Sequence, residues 1–175
     1  MFGDFKNVSN SMRVRVPCGI AQQGRSFRNE ITPGNFVFRV REFEQMEMEF
    51  FVKPGDDERW FEHWKEERFS WYRDVLGVSP ERLRLRDHGS DEKAHYAKAS
   101  TDIEYQFPFG WSELAGIASR TAVALRAPQE ASGQDLPYPH PAPTAPLPPV
   151  CTPHAWGRAP PPIPVPLDPP RPPPA

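Results

Sequence analysis

The chain has 175 residues, with 21 Lys and Arg against 23 Asp and Glu and a formal net charge of -2, which allows one ordinary domain with its own core. That balance gives no global attraction to nucleic acid or to an anionic membrane, so any RNA contact has to be local. The two cysteines, Cys18 and Cys151, have no Cys-x-x-C or Cys/His cluster around them, which argues against a disulfide framework or a zinc site and fits a reducing, cytoplasmic setting.

The opening Met1-Phe2-Gly3-Asp4-Phe5-Lys6 has none of the character of a signal peptide, and no run of 18 apolar residues follows, so no membrane partner is expected. Residues 18 to 31 read as a strand. Thr32-Pro33-Gly34-Asn35 supplies turn chemistry, since Pro fixes φ and Gly or Asn accepts φ > 0. Residues 36 to 52 return as a second strand, giving an antiparallel hairpin with an extended loop. Alternation on that strand sets Met46, Met48, Phe50 and Val52 on one face and Arg41, Phe43, Gln45, Glu47 and Glu49 on the other, the second being the chemically active one.

From Asp56 to Leu76 the period becomes helical, with Trp60, Trp64, Trp71 and Val75 in one stripe and Phe61, Tyr72 and Leu76 beside it. Asp56 or Asp57 suits its start and Gly77 its stop. Residues 82 to 87 alternate as a short strand, 87 to 100 are polar loop or short helix, and 101 to 107 alternate again. Pro108-Phe109-Gly110 turns the chain into 111 to 120, which could be strand or helix by periodicity; Gly110 and Gly116 favour a strand with close backbone approach. Beyond residue 136 lie 18 of the 24 prolines, whereas 15 of the 16 Phe and Tyr precede that point. Two regions follow: a folded part, 1–136, and a proline-rich tail, 137–175, expected to be polyproline II or disordered.

The hairpin is the chemically suggestive part. Arg28, Arg39 and Arg41 have planar forks that match phosphate oxygens. Glu42, Glu44, Glu47 and Glu49 crowd one strand, and Glu47 and Glu49 share its active face, where a bound ammonium or Mg²⁺ would offset their repulsion. A solvated acidic edge and ordinary surface arginines are the plainer alternatives. His63 sits on the helix, and His88 and His95 lie in or beside a loop without a nucleophile partner. With no catalytic triad, P-loop or metal-spaced cluster, the residues point to positioning and charge stabilisation, as in nucleotidyl transfer.

The run Gly19-Ile20-Ala21-Gln22-Gln23-Gly24-Arg25-Ser26-Phe27-Arg28-Asn29-Glu30-Ile31, continuing through Phe43-Glu44-Gln45-Met46-Glu47-Met48-Glu49-Phe50-Phe51, closely resembles motif 2 of the class II glycyl-tRNA synthetases of dimeric type. The likeness extends through His95-Tyr96-Ala97-Lys98, Asp102-Ile103-Glu104-Tyr105 and Glu113-Leu114-Ala115-Gly116-Ile117-Ala118-Ser119-Arg120-Thr121. It implies an α+β fold with an antiparallel class II catalytic sheet and flanking helices, partial here, over roughly residues 1 to 136. The implied activity is that of a glycine-tRNA ligase, which condenses glycine with ATP to glycyl-adenylate and transfers glycine to tRNA(Gly) in the cytoplasm. By the same resemblance Arg28 is the catalytic residue, on the α-phosphate of ATP. Arg28, Asn29, Glu30, Phe38, Arg39, Val40, Arg41, Glu42, Phe43, Glu113 and Leu114 would contact ATP. Phe43, Glu44, Gln45, Met46 and Glu47 would line the glycine pocket, Glu47 meeting the ammonium and Arg120 lying near the carboxylate. Mg²⁺ would bridge the ATP phosphates, with no protein ligand identified for it.

The chain also departs from the family pattern. Motif 1, which forms the family's homodimer, would precede Met1 and is missing from this sequence. Ala122-Val123-Ala124-Leu125 stands where the family has Asp-Phe-Asp-Leu. Cys151-Thr152-Pro153-His154-Ala155-Trp156-Gly157-Arg158 echoes motif 3, with Thr152 in the place of its glutamate, His154 in that of its serine, and Arg158 matching its arginine. These departures leave two further readings: a non-catalytic binding module on a class II scaffold, or an inactive truncated fragment.

Overall fold

The computed structural model describes residues 2–34, 38–53, 55–89, 91–92, 97–120, 130–131, 133 and 150–158. A 3-10 turn at Phe2–Asp4 leads into α1 (Phe5–Met12), followed by β1 (Cys18–Phe27), β2 (Glu42–Val52), α2 (Asp57–Ser70), β3 (Leu83–Asp87), β4 (Ala97–Phe107), β5 (Gly110–Arg120) and β6 (Val150–Arg158). The strands form one antiparallel sheet in the order β1-β2-β6-β5-β4-β3.

The register lines up one row across all six strands: Gln22, Glu47, residue 156, Gly116, Asp102 and Arg86. Because side chains alternate, this row defines a face shared by Phe43, Gln45, Glu47 and Glu49 of β2, Asp102 and Glu104 of β4 and Arg84 and Arg86 of β3. The opposite face carries α2. There Phe61 and Tyr72 of the helical segment are buried with Leu83, Ile103, Tyr105, Phe107, Leu114 and Ile117, while Phe50 of β2 packs against Trp60 and Trp64, with ring centroids 4.7 and 5.1 Å away.

α2 starts after Asp56 and places Asp57 and Glu58 in its first turn and Arg68 in its last, charges that complement the helix dipole. Its end departs from the predicted stripe. Trp71–Val75 form a π turn, closed by Leu76 N–H to Trp71 C=O at 3.1 Å, before Gly77 at φ +67° stops the helix. The wider turn changes the angular step, so Trp71, Val75 and Leu76 rotate out to solvent and Tyr72 takes the buried position.

The predicted strand at 111–120 is present as β5. β4 starts at Ala97, within the stretch expected to be loop, and the β1–β2 loop extends further into both predicted strands, which end at Phe27 and begin at Glu42. α1 was not anticipated. It covers one end of the shared face, where Phe5 and Phe51 are fully buried with centroids 4.3 Å apart, flanked by Phe2, Val16, Cys18 and Ile20.

The reading of 137–175 as a disordered tail is corrected at 150–158. These residues form β6, the link between β2 and β5. The register passes from Glu49↔His154 to Phe50↔Thr152, leaving Pro153 as the extra residue of a bulge. Proline cannot donate to a ladder, and a bulge is one of the places inside a sheet that tolerates it. The remainder of the predicted tail lies outside the described residues.

Candidate functional site

The site is built on the shared face of β2 and on the loop that precedes it. Phe43, Gln45, Glu47 and Glu49 succeed one another at every second residue. Gln45 is buried and donates its side-chain amide to Glu47 Oε1 at 2.5 Å. Glu49 is 1% exposed, next to the apolar cover of Phe5 and Phe51. The face thus grades from an aromatic ring through an amide to two carboxylates, the second fully out of water.

The loop from Arg28 to Arg41 closes on itself. Arg28 N–H donates to Arg41 C=O at 2.9 Å, and Gly34 and Arg39 exchange backbone bonds of 3.1 Å in both directions. Glu30 holds both later arginines: Arg41 Nε donates to its carbonyl at 3.1 Å, and Arg39 Nη1 lies 3.8 Å from its carboxylate. The Arg28 guanidinium sits over the Phe43 ring, 5.4 Å from its centroid. Three arginines are therefore gathered at the Phe43 end of the face and two carboxylates at the other, an arrangement suited to a ligand with an anionic part and a cationic part.

The other residues named from the sequence divide between the faces. Side chains of Glu44 and Met46 project from the α2 side of β2, and Glu42 pairs with Arg25 at 2.8 Å. The Phe38 ring turns onto Phe107 and Phe109. In β5 the register runs Glu104↔Glu113 and Ile103↔Ala115, so Leu114 is the extra residue of a bulge and its side chain is buried in the α2 core. Bulges of this kind re-aim neighbouring groups beside active sites. Arg120, at the end of β5, lies 5.6 Å from the Phe2 ring, which also touches Phe51 at 6.3 Å. The 3-10 turn thus spans from β2 to β5 over the same end of the face. Val40 and Asn29 belong to the loop, Asn29 exposed and Val40 half-buried.

Sequence reasoning missed a charged ladder further along the same face. Arg84 Nε donates to Glu104 Oε2 at 2.6 Å, and its guanidinium stacks 4.3 Å from the Trp111 ring. Arg86 bonds Glu92 at 2.6 Å and lies 3.7 Å from Asp102, and His88, read as having no nucleophile partner, shares a 2.7 Å bond with the Asp102 carboxylate. The signal was available: Arg84, Arg86 and His88 alternate on one strand, and Asp102 and Glu104 alternate with the same period on another. His95 lies outside the described residues.

Buried Thr101 donates its hydroxyl to Asp87, holding that carboxyl below its ordinary pKa with help from Lys65 at 3.3 Å. Burial pushes the Cys18 thiol up, away from nucleophilic reactivity. Among the described residues no three His, Cys, Asp or Glu side chains converge as metal ligands. No helix among the described residues is long and apolar enough to cross a membrane.

Comparison with known proteins gives the arrangement a context. No protein-family model matches the chain. It is 59% identical over 138 residues to the glycine--tRNA ligase of Macrococcus caseolyticus strain JCSC5402, covering 79% of this chain and 30% of the relative. The glycine--tRNA ligases of Geobacillus thermodenitrificans strain NG80-2 and Corynebacterium efficiens strain DSM 44549 are also 59% identical, over 138 and 141 residues, with 79% of this chain and 29% and 30% of theirs. Among solved structures, the crystal structure of prolyl-tRNA synthetase from Cryptosporidium parvum complexed with L-proline and AMP matches with a TM-score of 0.61 at 16% identity, over 89% of this chain and 32% of that one. That likeness bears on the fold alone: the antiparallel sheet is similar to the one in that synthetase structure. The chain spans about 30% of the length of the curated relatives it matches.

Proposed function

We propose that this chain, homologous over most of its length to a partial segment of glycine--tRNA ligase, carries the ATP- and glycine-binding face of that enzyme. The observation that carries the reading is the 59% identity over 138 residues, and the geometry agrees with it. Arg28 over Phe43, with Arg39 and Arg41 gathered by Glu30, would receive the triphosphate. Arg28 would meet the α-phosphate, where charge builds as the glycine carboxylate attacks and pyrophosphate leaves. Asn29, Glu30 and the 38–43 stretch would complete the ATP site, together with the β5 bulge at Glu113 and Leu114.

Glu47, steadied by Gln45, would hold the glycine ammonium, while Arg120 would face its carboxylate. Glu44 and Met46, with side chains on the opposite face, would shape this pocket through the strand they belong to. In the second step the 3′ hydroxyl of tRNA(Gly) would attack the glycyl carbonyl with AMP leaving. Mg²⁺ would enter with ATP. A homodimer and a cytoplasmic setting complete the proposal, on the family's pattern.

Glycine-dependent ATP-pyrophosphate exchange tests the reading, with alanine and serine as competing substrates and Arg28→Ala as the control. Exchange that needs glycine and disappears in the variant supports an adenylate-forming site. A second reading, a binding module that retains ATP affinity without exchange, is favoured by Ala122, Ala124, Thr152 and His154, which stand where the resembled pattern has two aspartates, a glutamate and a serine. Calorimetric ATP binding in the absence of exchange would select it.

A further inference from the structure

The turn between β4 and β5 carries an aromatic arrangement that the proposed chemistry does not use. Phe107 is buried at 7% exposure, whereas Phe109, two residues on, is 54% exposed and lies parallel to it, with centroids 5.1 Å apart and planes at 3°. The turn itself enforces this. Phe107 pairs with Gly110, leaving Pro108 and Phe109 at the tip, Pro108 fixes its own φ, and Gly110 adopts φ +115°, where only glycine is at ease. Phe109 is thereby folded back over Phe107.

The Phe38 ring stands T-shaped to both rings, with centroids 4.8 Å apart at 81° to Phe107 and 4.9 Å apart at 79° to Phe109. T-shaped contact with two rings at once fixes position as well as orientation, because such contacts set the positive edge of one ring against the negative face of another. Phe38 belongs to the loop between β1 and β2, next to Arg39. The backbone bonds from Arg28 to Arg41 and from Gly34 to Arg39, and the bonds of Arg41 and Arg39 to Glu30, all close that loop upon itself. Phe38 ties it to a different part of the sheet, the turn on the far side of β6.

We propose that Phe109 is a positioning residue: with Phe107 it forms an aromatic clamp on Phe38 that seats the arginine-bearing β1–β2 loop over the sheet. Its consequence for nucleotide affinity rests on the reading that this loop receives ATP. The seating itself does not, and the two are tested separately.

The experiment is limited trypsin digestion of the purified chain, comparing cleavage after Arg39 and Arg41 with cleavage after Arg13 and Arg15 by mass spectrometry. Calorimetric ATP titration runs in parallel on Phe109→Ala, Phe38→Ala, the double variant and Phe109→Tyr. Losing the edge contacts is expected to raise cleavage after Arg39 and Arg41 by about five- to tenfold in Phe109→Ala, since cleavage follows the population of the opened loop. Cleavage after Arg13 and Arg15 should stay unchanged. Phe109→Tyr should restore protection, and the double variant should be no more labile than Phe38→Ala alone, because both changes remove the same contact.

Unchanged loop cleavage in a folded Phe109→Ala, or additive effects in the double variant, would overturn the clamp. Should Phe109→Ala lose its fold, Phe109→Leu keeps the apolar bulk while removing the ring face and makes the same comparison. Loop cleavage that responds as expected in a chain that binds no ATP would uphold the clamp and overturn the nucleotide reading. Weaker ATP binding in step with cleavage supports both.

Discussion

The buried amide of Gln45 donates to Glu47 Oε1 at 2.5 Å on a single face of β2. A carboxylate constrained from one side presents its remaining oxygen in a defined direction. Gln45→Met keeps the volume and removes the donor, so Glu47 would lose its fixed orientation without losing its charge. We expect the KM for glycine in pyrophosphate exchange to rise about tenfold, with kcat changed far less, as befits a hydrogen bond to a charged group that serves ground-state binding. A variant with unchanged KM would show that Glu47 is oriented by other means.

Glu30 gives a prediction in which stability and binding separate. Its carboxylate is 3.8 Å from an exposed Arg39 guanidinium, whereas Arg41 uses its backbone carbonyl. Glu30→Gln therefore disturbs only a solvent-screened pair, and chemical denaturation should show a change within about 0.5 kcal/mol. The same variant should weaken ATP binding if the carboxylate contacts nucleotide, and calorimetry reads that directly.

Phe5 and Phe51, both fully buried and 4.3 Å apart, hold α1 on the sheet. Phe5→Ala leaves a ring-sized void between them. Unfolding should become easier by about 3–5 kcal/mol, measured by urea titration. Arg120, which rests on neighbouring Phe2, should become more accessible to arginine-directed reagents before global unfolding.

A pH dependence follows from Thr101 and Asp87. The hydroxyl bond holds the Asp87 carboxyl below its ordinary pKa. A carboxylate whose folded pKa is depressed contributes stability above its unfolded pKa and loses that contribution as pH falls through the folded value. Thr101→Val should thus destabilise by about 1 kcal/mol at neutral pH, less if solvent around the exposed Asp87 screens the bond. The difference from the parent chain should shrink towards the cost of the Thr to Val exchange itself as pH falls through the folded value. Denaturation midpoints at pH 7 and pH 2.5 make the comparison.

Much of the fold was legible because it rests on local periodicity. Alternation along residues 42–52 placed Gln45, Glu47 and Glu49 together, and the two glycines of β5 marked it as a strand. What escaped had non-local causes. The π turn moved Trp71 and Val75 out of a stripe that a regular 3.6-residue period assigned to the core. β6 escaped because nine residues of strand are hidden among prolines, and its single proline is tolerated only where Glu49 and Phe50 straddle a bulge. In the site, the positions of Arg28, Glu30 and Arg41 near one another followed from the hairpin. The turning of Phe38 onto Phe107 and Phe109 could not, since nothing in the spacing brings residues 69 and 71 positions apart into contact. The carboxylates opposite Arg84, Arg86 and His88 were readable in principle, had the register of β3 against β4 been set.

Among the described residues, backbone bonds join the β1–β2 pair to the β3–β4–β5 group only through β6, and β6 is the last described strand. During synthesis both groups emerge from the ribosome before the strand that connects them. Each then has an open edge for the time taken to make some thirty further residues, the interval in which edge pairing with another chain competes with closure. A chain released before residue 150 would retain the arginine loop and the Glu47 face, yet hold them on a half-sheet with no hydrogen-bonded route to Arg120.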